Sequence, residues 1–304
     1  MPTQATIITL PQPLGWPWLR LLGRELHLCW QFISGDLSSA IVPALIFFLA
    51  AWQQRGLGNA GLPLALAQCL LYFWLYLWCF CLANQLVGVE EDRLNKPHRP
   101  LVTGAVSAAG ALRRFGVAMA LYTIVGLWLG VLPWTLLWQI LVLGNNFGGW
   151  TKPWIGKHLV MVLGIVAQLA AAWSIAAPLT AVAWQWIGIM AGTHFFLIAV
   201  QDLRDIAGDR AGERRTLPLV IGERATRWLL VACFGLQPLV FQGLLVQPAG
   251  GGWPAFLCSA LLALFSWTIA LRIILRQSPA ADHQTYLLYT YWYCATLVAA
   301  IVIL

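Results

Sequence analysis

The acidic residues of this sequence concentrate in two segments, although the chain as a whole carries little charge. Residues 84–100 read NQLVGVEEDRLNKPHRP and residues 201–222 read QDLRDIAGDRAGERRTLPLVIG, and together they hold more than half of the 11 acidic residues. Residues four apart on a helix share one face. The spacing therefore predicts two stripes of oxygen-bearing side chains, one built on Asn84, Gly88 and Asp92 and the other on Gln201, Asp205 and Asp209.

Each stripe is followed by residues that could bind phosphate oxygens. They are Lys96, Arg99, Arg204, Arg210, Arg214 and Arg215. Stacked carboxylates repel each other unless a cation lies between them, and Mg²⁺ prefers such oxygens together with phosphate. The combination predicts Mg²⁺ and a diphosphate. The alternative is that the acids, including Glu90, are solvated loop residues neutralised by neighbouring Arg and Lys.

An aromatic series leads away from the first acidic segment at helical spacing. It consists of Phe80, Tyr76 and Phe73. Aromatic faces attract cations by ~0.5–2 kcal/mol, so this wall suits a carbocation as well as a prenyl chain. The alternative roles are interface anchoring and helix packing. His194 lies two helical turns before Asp202; it could accept a proton from a cyclised cation or form an interhelical hydrogen bond.

The composition is that of an integral membrane protein. Hydrophobic residues make up 60% of the chain and charged residues 10%, with a mean hydropathy of +0.75, whereas soluble domains are about a quarter charged. Because a spanning helix needs ~20 apolar residues, we expect an all-α polytopic protein of about nine transmembrane helices in one domain, residues 1–304. The predicted spans are residues 38–53, 62–87, 108–130, 132–147, 158–178, 181–201, 225–247, 254–275 and 285–303.

Charge is distributed unequally between the two sides of these spans. Of the 18 basic residues, all except Arg55 fall on the side of the N-terminus, and so do all the acidic ones. The positive-inside rule therefore predicts that the N-terminus and the acidic segments are cytoplasmic and that the C-terminus lies on the opposite side. Residues 1–35 are expected to form an inside tail with an amphipathic stretch along the bilayer.

The same charge distribution limits the function classes. The net charge of +7 reflects the positive-inside bias, so nucleic acid is not an expected partner. A transporter or channel would carry polar residues across the membrane, and their confinement to one face disfavours that class. The inside loop with Lys152, Lys157 and His158 could cap a diphosphate. The seven Cys lack metal spacing and are expected to be reduced packing residues.

The two acidic segments belong to an internal repeat. Each runs from acidic to basic residues and ends in Pro-Leu-Val-x-Gly, at residues 100–104 and 218–222, an offset of 118 residues. The pattern predicts two four-helix-like halves whose acidic segments meet at one cavity. The alternative is chance similarity between two membrane-exit loops.

These residues resemble the signatures of the UbiA superfamily of intramembrane prenyltransferases. The first signature, Asn-x-x-x-Asp-x-x-x-Asp followed by Asn-Lys-Pro-x-Arg-Pro, is matched at Asn84, Asp92, Asn95, Lys96, Pro97, Arg99 and Pro100. The second, an Asp-rich helix end, is matched at Asp202, Asp205, Gly208, Asp209, Thr216 and Pro218. The resemblance covers nearly the whole chain. It implies a nine-helix bundle in which two Mg²⁺ ions, held by both motifs, bind an isoprenyl diphosphate and help the diphosphate leave.

The site expected from these motifs has four groups of residues. The metal ligands are expected to be Asn84, Asp92, Asp205 and Asp209, and the catalytic set adds Glu91 and Asp202. Diphosphate binding is expected at Lys96, Arg99, Lys157, Arg204 and Arg214, and the prenyl or cation pocket at Phe73, Tyr76, Phe80 and His194.

The sequence departs from the family pattern at two positions. Gly88 replaces the middle Asp of the first motif, and Gln201 opens the second stripe; Glu91 or Asp202 could compensate. This departure resembles the membrane terpene cyclases of the superfamily, which cyclise farnesyl or geranylgeranyl diphosphate internally. The other branch transfers the prenyl group to an aromatic or lipophilic acceptor, and that alternative stays open on sequence alone.

Overall fold

The computed structural model of the chain describes residues 17–56 and 58–304, and the regular elements in those ranges are helices. Of residues 1–35, predicted as an inside tail with an amphipathic stretch, residues 1–16 lie outside the described part of the chain. The helices are α1 (Pro17–Ile33), α2 (Ile41–Gln54), α3 (Leu62–Val87), α4 (Val89–Asn95), α5 (Pro100–Thr103), α6 (Ala108–Trp128), α7 (Leu132–Asn146), α8 (Trp154–Ala176), α9 (Ala181–Leu197), α10 (Val200–Ala211), α11 (Leu217–Ile221), α12 (Glu223–Phe241), α13 (Trp253–Leu275) and α14 (Pro279–Ile303). The prediction of an all-α membrane protein is confirmed.

Each of the nine predicted spans corresponds to one of these helices, but the count of nine is approximate. Six helices of the described part are long and apolar enough to cross a bilayer, or seven if α9 and α10 form one bent span. The helices α2 and α7 have 14 and 15 residues, fewer than the ~20 that a perpendicular span requires. The chain is an integral, multi-pass membrane protein.

The span predicted at residues 181–201 is divided into two helices that meet at an angle of 46°. The N–H groups of Ala199, Gln201 and Asp202 bond to carbonyls three residues back rather than four, which tightens the backbone at this point. The second acidic segment is therefore a separate helix, α10, that leaves the direction of α9.

Several helices extend beyond their predicted bounds into charged sequence. The last helix begins at Pro279 rather than 285, because the Ser278 hydroxyl caps it by accepting the Ala281 N–H at 3.2 Å. A span predicted from hydropathy excludes Asp282 and His283, although both residues lie within the helix. The helix α12 contains Pro238 and continues through a π-helical turn over Gln242–Val246.

The internal repeat is visible in the backbone. The two Pro-Leu-Val-x-Gly segments form the short helices α5 and α11, each with a proline in its first turn. Gly104 and Gly222 follow them with φ angles of 74° and 89°, a region that suits glycine because it has no Cβ. The predicted halves are thus α2 to α7 and α8 to α13, and α14 completes the bundle.

The long helices pack in chain order, and α14 returns to contact α2 as well as α13. The first half also contacts the second directly, since α2 packs against α8 and α4 packs against α10. Many large apolar side chains, such as Leu127, Leu239 and Leu275, are exposed on the outside of the bundle, as expected for surfaces that face lipid.

The amphipathic helix α1 is attached to the bundle by an ion pair. The Arg114 guanidinium donates two hydrogen bonds to the Glu25 carboxylate, at 2.7 and 2.5 Å. This hydrogen bonding lowers the pKa of Glu25. Leu22 and Leu26 on the same helix are exposed, so α1 presents an apolar face that suits the bilayer surface.

Candidate functional site

The two acidic motifs meet where α4 packs against α10. A side chain at Gly208 would collide with the Asn95 carboxamide, so only glycine allows the two helices to approach this closely. The loop before α8 is fastened to the second motif by backbone hydrogen bonds, from Arg215 N–H to Lys152 O (2.8 Å) and from Trp154 N–H to Arg215 O (2.9 Å). These contacts bring three distant segments together.

The three segments surround a cavity of about 280 Å³, which we call the polar chamber. Eight of the residues expected from sequence to be catalytic, metal-binding or diphosphate-binding line it. They are Asn84, Glu91, Lys96, Arg99, Lys157, Arg204, Asp205 and Arg214. The chamber also contains Gly88 and Gln201, the two positions at which the family pattern is broken.

The first motif is organised around Arg99. Its Nη1 donates to both oxygens of Asp92 at 2.8 Å and to Asn84 Oδ1 at 3.2 Å. The expected helical stripe is interrupted, because α3 ends before Gly88 and α4 starts after it. Asn84 and Asp92 nevertheless contact the same guanidinium across the break, and their role as metal ligands stays a prediction.

Arg214 connects the two motifs. Its Nη2 lies 2.8 Å from Glu91 Oε2 of α4, and its Nη1 lies 3.6 Å from Asp209 Oδ1 of α10. Asp209 is fully buried, and neither of its carboxylate oxygens has a hydrogen-bond partner in the described part of the chain. Buried anionic oxygens without partners are costly, so this position favours a cation.

Asp202 does not line the polar chamber but contacts Lys157, which does. The Lys157 Nζ lies 2.5 Å from Asp202 Oδ1, and His158 Nε2 lies 3.6 Å from Asp202 Oδ2. Asp202 and His158 are fully buried. The carboxylate thus holds Lys157 at the chamber wall, and the catalytic role expected for Asp202 stays a prediction.

Asp205 is paired with its neighbour Arg204, with Nε of the guanidinium 3.2 Å from Asp205 Oδ2. The guanidinium carbon of Arg204 lies 3.9 Å above the centre of the Tyr286 ring, a cation–π contact. Its Nη1 lies 3.1 Å from Nδ1 of His283. Arg204 is therefore held by α14 and faces the polar chamber together with Asp205.

Lys96 contributes a basic group whose charge is sensitive to its surroundings. Burial and the neighbouring Arg99 guanidinium lower the pKa of Lys96 below the ordinary value for lysine, although Asp205 acts in the opposite direction. An anion entering the polar chamber would raise the pKa of Lys96 again, because the added negative charge favours the ammonium.

The donor set fits a hard divalent cation only in part. Within the described residues no group of three or more His, Cys, Asp or Glu side chains is arranged to hold a metal. Carboxylate oxygens are present, and those of Asp209 have no hydrogen-bond partner among the described residues. Mg²⁺ usually binds proteins through one or two carboxylates and completes its shell with water and substrate phosphates, so the arrangement fits Mg²⁺ that arrives with a phosphate ligand.

A second cavity of about 150 Å³, the apolar chamber, adjoins the polar one. The two cavities share the residues Asp36, Phe80, Met161, Gln201 and Tyr286. Of the expected prenyl-pocket residues, Tyr76, Phe80 and His194 line the apolar chamber. Phe73 is not among its lining residues in the described part of the chain; it is fully buried and packs against Tyr72 and Tyr76.

The aromatic wall of the apolar chamber is held rigidly. Trp138 stacks on Tyr76 with ring centres 4.1 Å apart and planes at 6°. Its indole N–H donates to the Tyr76 carbonyl at 3.0 Å, and the Tyr76 hydroxyl donates to the Gly164 carbonyl at 3.1 Å. A Cβ at Gly164 would lie 2.6 Å from Trp138, so the ring keeps this position only beside glycine.

Sequence reasoning missed several lining residues. Asp36 lines both chambers, and Tyr286 lies between them under Arg204. Gln168 fixes the far side, because it accepts from the Tyr293 hydroxyl at 3.0 Å and donates to the Ala40 carbonyl at 2.6 Å. A sequence signal existed for Asp36 alone, as an acidic residue at the inside end of the first span.

Comparison with known proteins adds an independent result. The profile of the UbiA prenyltransferase family matches residues 40–301. The chain is 46% identical over 282 residues to the somaliensene A/B synthase of Streptomyces somaliensis, covering 93% of this chain and 94% of the relative. It is 33% identical to the diterpene cyclase eriG of Hericium erinaceus, covering 91% and 88% of the two chains.

The fold is shared with a solved structure. A UbiA homologue from Archaeoglobus fulgidus, bound to GPP and Mg²⁺, superposes with a TM-score of 0.62 over 90% of this chain and 99% of the homologue, at 19% identity. The similarity confirms the helical architecture that the sequence predicts.

Proposed function

Because the chain belongs to the UbiA prenyltransferase family, we propose that it is a membrane enzyme that ionises an isoprenyl diphosphate with Mg²⁺ and cyclises the released chain to a terpene. The observation that carries the proposal is the junction of two unlike cavities. The polar chamber is lined by Lys and Arg, and the apolar chamber by aromatic rings, and they share a wall. An amphiphilic substrate with an anionic head and a hydrocarbon tail matches both.

The diphosphate binds in the polar chamber. Lys96, Arg99, Lys157, Arg204 and Arg214 face it from four different parts of the chain. Four of these cations pair with carboxylates: Arg99 with Asp92, Lys157 with Asp202, Arg204 with Asp205, and Arg214 with Glu91. Phosphate oxygens replace part of this pairing, since charge-assisted hydrogen bonds from Arg and Lys to phosphate are strong.

Mg²⁺ would be held by carboxylates of the two motifs, with Asp209 and Glu91 as the ligands that the geometry favours, and Asn84, Asp92 and Asp205 nearby. When bound, it polarises phosphoryl oxygens and stabilises the negative charge of the leaving diphosphate. This proposal follows the orphaned oxygens of Asp209 and the Mg²⁺ and GPP bound to the Archaeoglobus fulgidus homologue.

The apolar chamber receives the hydrocarbon and the cation. Heterolysis of the C–O bond leaves the electron pair on the diphosphate and an allylic cation at the boundary between the chambers. The faces of Tyr76, Trp138 and Phe80 stabilise positive charge by cation–π attraction. Their rigid packing limits the shapes in which the chain can fold and excludes water that would capture the cation early.

Cyclisation is favoured over transfer by the somaliensene synthase, which is 46% identical to this chain. The diterpene cyclase eriG and the polyprenyl transferase eriF of Hericium erinaceus do not separate the two reactions, because they are 33% and 32% identical over 91% of this chain. Gly88 agrees with this choice, because it stands where the family pattern has Asp, a departure that resembles the cyclase branch. We infer that the substrate is farnesyl or geranylgeranyl diphosphate. Transfer to an aromatic or lipophilic acceptor is the alternative that the family as a whole supports.

The polar chamber is proposed to open to the cytoplasm. All basic residues except Arg55 lie on its side of the chain. Arg55 donates to the Ala176 carbonyl at 2.9 Å, at the C-terminal end of α8, whereas Lys157 lies at the other end of the same helix. By the positive-inside rule, the polar chamber and the N-terminus are cytoplasmic and the C-terminus is on the opposite side.

The test is incubation of the purified protein in detergent or vesicles with farnesyl or geranylgeranyl diphosphate and Mg²⁺. Pyrophosphate release and the extracted products are measured, the latter by gas chromatography and mass spectrometry. The proposal expects a cyclic terpene without any second substrate. A reaction that starts only when a phenol or quinone precursor is added would establish the transferase alternative instead.

A further inference from the structure

His194 has a position in the apolar chamber that substrate binding does not explain. It lies in the last turn of α9, immediately before the bend into α10. It is 2% exposed and lines the apolar chamber rather than the polar one. Among the described residues that line this chamber, it is the one side chain that can act as a neutral nitrogen base.

The hydrogen bonds of His194 define which ring nitrogen is free. Its Nδ1 lies 2.6 Å from the carbonyl oxygen of Met190. A carbonyl can only accept, so Nδ1 carries the hydrogen, and Nε2 of the neutral ring keeps its lone pair. Nε2 is buried and has no hydrogen-bond partner among the described residues. The ring is thus held in one tautomer with an unoccupied acceptor.

The surroundings of the ring suit a transient positive charge. The ring centres of Tyr293, Tyr289 and Trp292 lie 4.7, 5.5 and 6.2 Å from that of His194. Aromatic faces at such distances stabilise a cation, whether it is a carbocation or an imidazolium. The diphosphate would lie in the adjoining polar chamber, so His194 faces the hydrocarbon end of the substrate.

We propose that His194 is the base that ends the cyclisation, by accepting a proton from the final carbocation at Nε2. The inference rests on the proposed cyclase function and adds the residue that selects the product. A C–H bond next to the cationic carbon breaks, its electron pair forms a C=C bond, and the proton moves to the lone pair of Nε2. The net products are a cyclic olefin and pyrophosphate. The proton passes to water when the chamber opens for product release.

The test compares His194→Gln and His194→Ala with the wild-type protein. Gln keeps an N–H that can donate to the Met190 carbonyl but has no basic nitrogen, so it separates proton acceptance from structural support. Thr193→Ala is the matched control, since the Thr193 hydroxyl donates to the Ile189 carbonyl at 2.8 Å and to the Met190 carbonyl at 3.3 Å. Its removal perturbs the carbonyl that holds His194 without removing the base. Pyrophosphate release and product composition are measured for each protein.

General base catalysis contributes ~10²–10⁴-fold, and the proposal therefore expects the main olefin to fall at least ~10-fold as a share of product in both His194 variants. Alcohols from water capture, or olefins that have lost a different proton, take its place. The olefin share is counted per pyrophosphate released, because ionisation precedes the step that His194 performs. Thr193→Ala keeps the wild-type products.

Three results would overturn the assignment of His194 as the base and leave the proposed cyclase function standing. They are an unchanged olefin in the Gln variant, a folded Gln variant that no longer releases pyrophosphate, and a wild-type protein whose main cyclic product is an alcohol. Failure of the proposed function is recognised separately, because the wild-type protein would then yield no cyclic product from any isoprenyl diphosphate.

Discussion

Arg214 is the side chain through which the two halves of the protein meet at the polar chamber, and its replacement by Gln tests that connection. The guanidinium contacts Glu91 of the first motif and Asp209 of the second. Gln is polar but uncharged, and its side chain is two atoms shorter. The substitution therefore removes a cation from the chamber while leaving both carboxylates in place.

The expected loss of activity follows from the burial of the Arg214–Glu91 pair. The side chains of Arg214 and Glu91 are 23% and 13% exposed, so water screens their interaction weakly. Hydrogen bonds to charged groups contribute ~1.5–3 kcal/mol, which corresponds to a ~10–150-fold loss in kcat/KM for the isoprenyl diphosphate. Arg214→Lys keeps the charge but not the two-pronged geometry, and we expect an intermediate loss.

The assay is pyrophosphate release from purified protein in vesicles, with Mg²⁺ and increasing substrate. Arg93→Gln is the matched control, because Arg93 also pairs with an acid of the first motif, Glu90, at 2.8 Å. The two partners are 59% and 81% exposed, and surface pairs contribute only ~0–1 kcal/mol. Arg93→Gln is expected to remain within about fivefold of wild type.

Similar activities for the two variants would refute this reasoning. If folded Arg214→Gln retained kcat/KM within about threefold of wild type, Arg214 would not bind the diphosphate, and the two motifs would not be joined through it. A thermal unfolding measurement on each variant separates this outcome from a general loss of structure.

The remaining predictions concern packing, pH and the metal. Gly208→Ala forces α4 and α10 apart at Asn95, so it should destabilise the protein by ~1–3 kcal/mol and abolish activity. The control is Gly188→Ala on α9, where a Cβ meets nothing within 4 Å. This variant should leave both thermal unfolding and turnover unchanged. Because the pKa of Lys96 is lowered, substrate affinity should decline at a lower pH than for an ordinary lysine as the ammonium loses its proton. Lys96→Arg should move this decline to higher pH in a titration of KM, and an identical profile in both proteins would contradict the assignment. Chelation of divalent cations with EDTA should stop pyrophosphate release, and Mg²⁺ should restore it; full activity after chelation would exclude the proposed metal.

The sequence predicted the parts of the site that follow from local spacing. Asn84 and Asp92 could be assigned to one binding unit because they are eight residues apart at the end of an apolar helix, and both contact Arg99. The short helices α5 and α11 follow from the repeated Pro-Leu-Val-x-Gly pattern. In these cases the chemistry is decided within one or two helical turns.

The contacts and positions that the sequence did not predict depend on which helices become neighbours. Lys157 and Asp202 are 45 residues apart and meet only because the loop before α8 is fastened to the second motif. Asp36 lies at the junction of the chambers because α14 returns to pack against α2. Phe73 precedes Tyr76 and Phe80 at helical spacing, but it packs against Tyr76 on the side away from the apolar chamber and is fully buried.

The central claim is that basic and acidic residues from both motifs hold one diphosphate while its hydrocarbon lies among the aromatic rings. The most direct measurement is a structure of the protein with a thio-diphosphate analogue that cannot ionise and with Mn²⁺ in place of Mg²⁺. The account predicts the diphosphate within hydrogen-bond distance of both Arg99 and Arg214, with the carbon chain beside Tyr76 and His194. A diphosphate held by one motif only, or a chain that lies outside the apolar chamber, would contradict it.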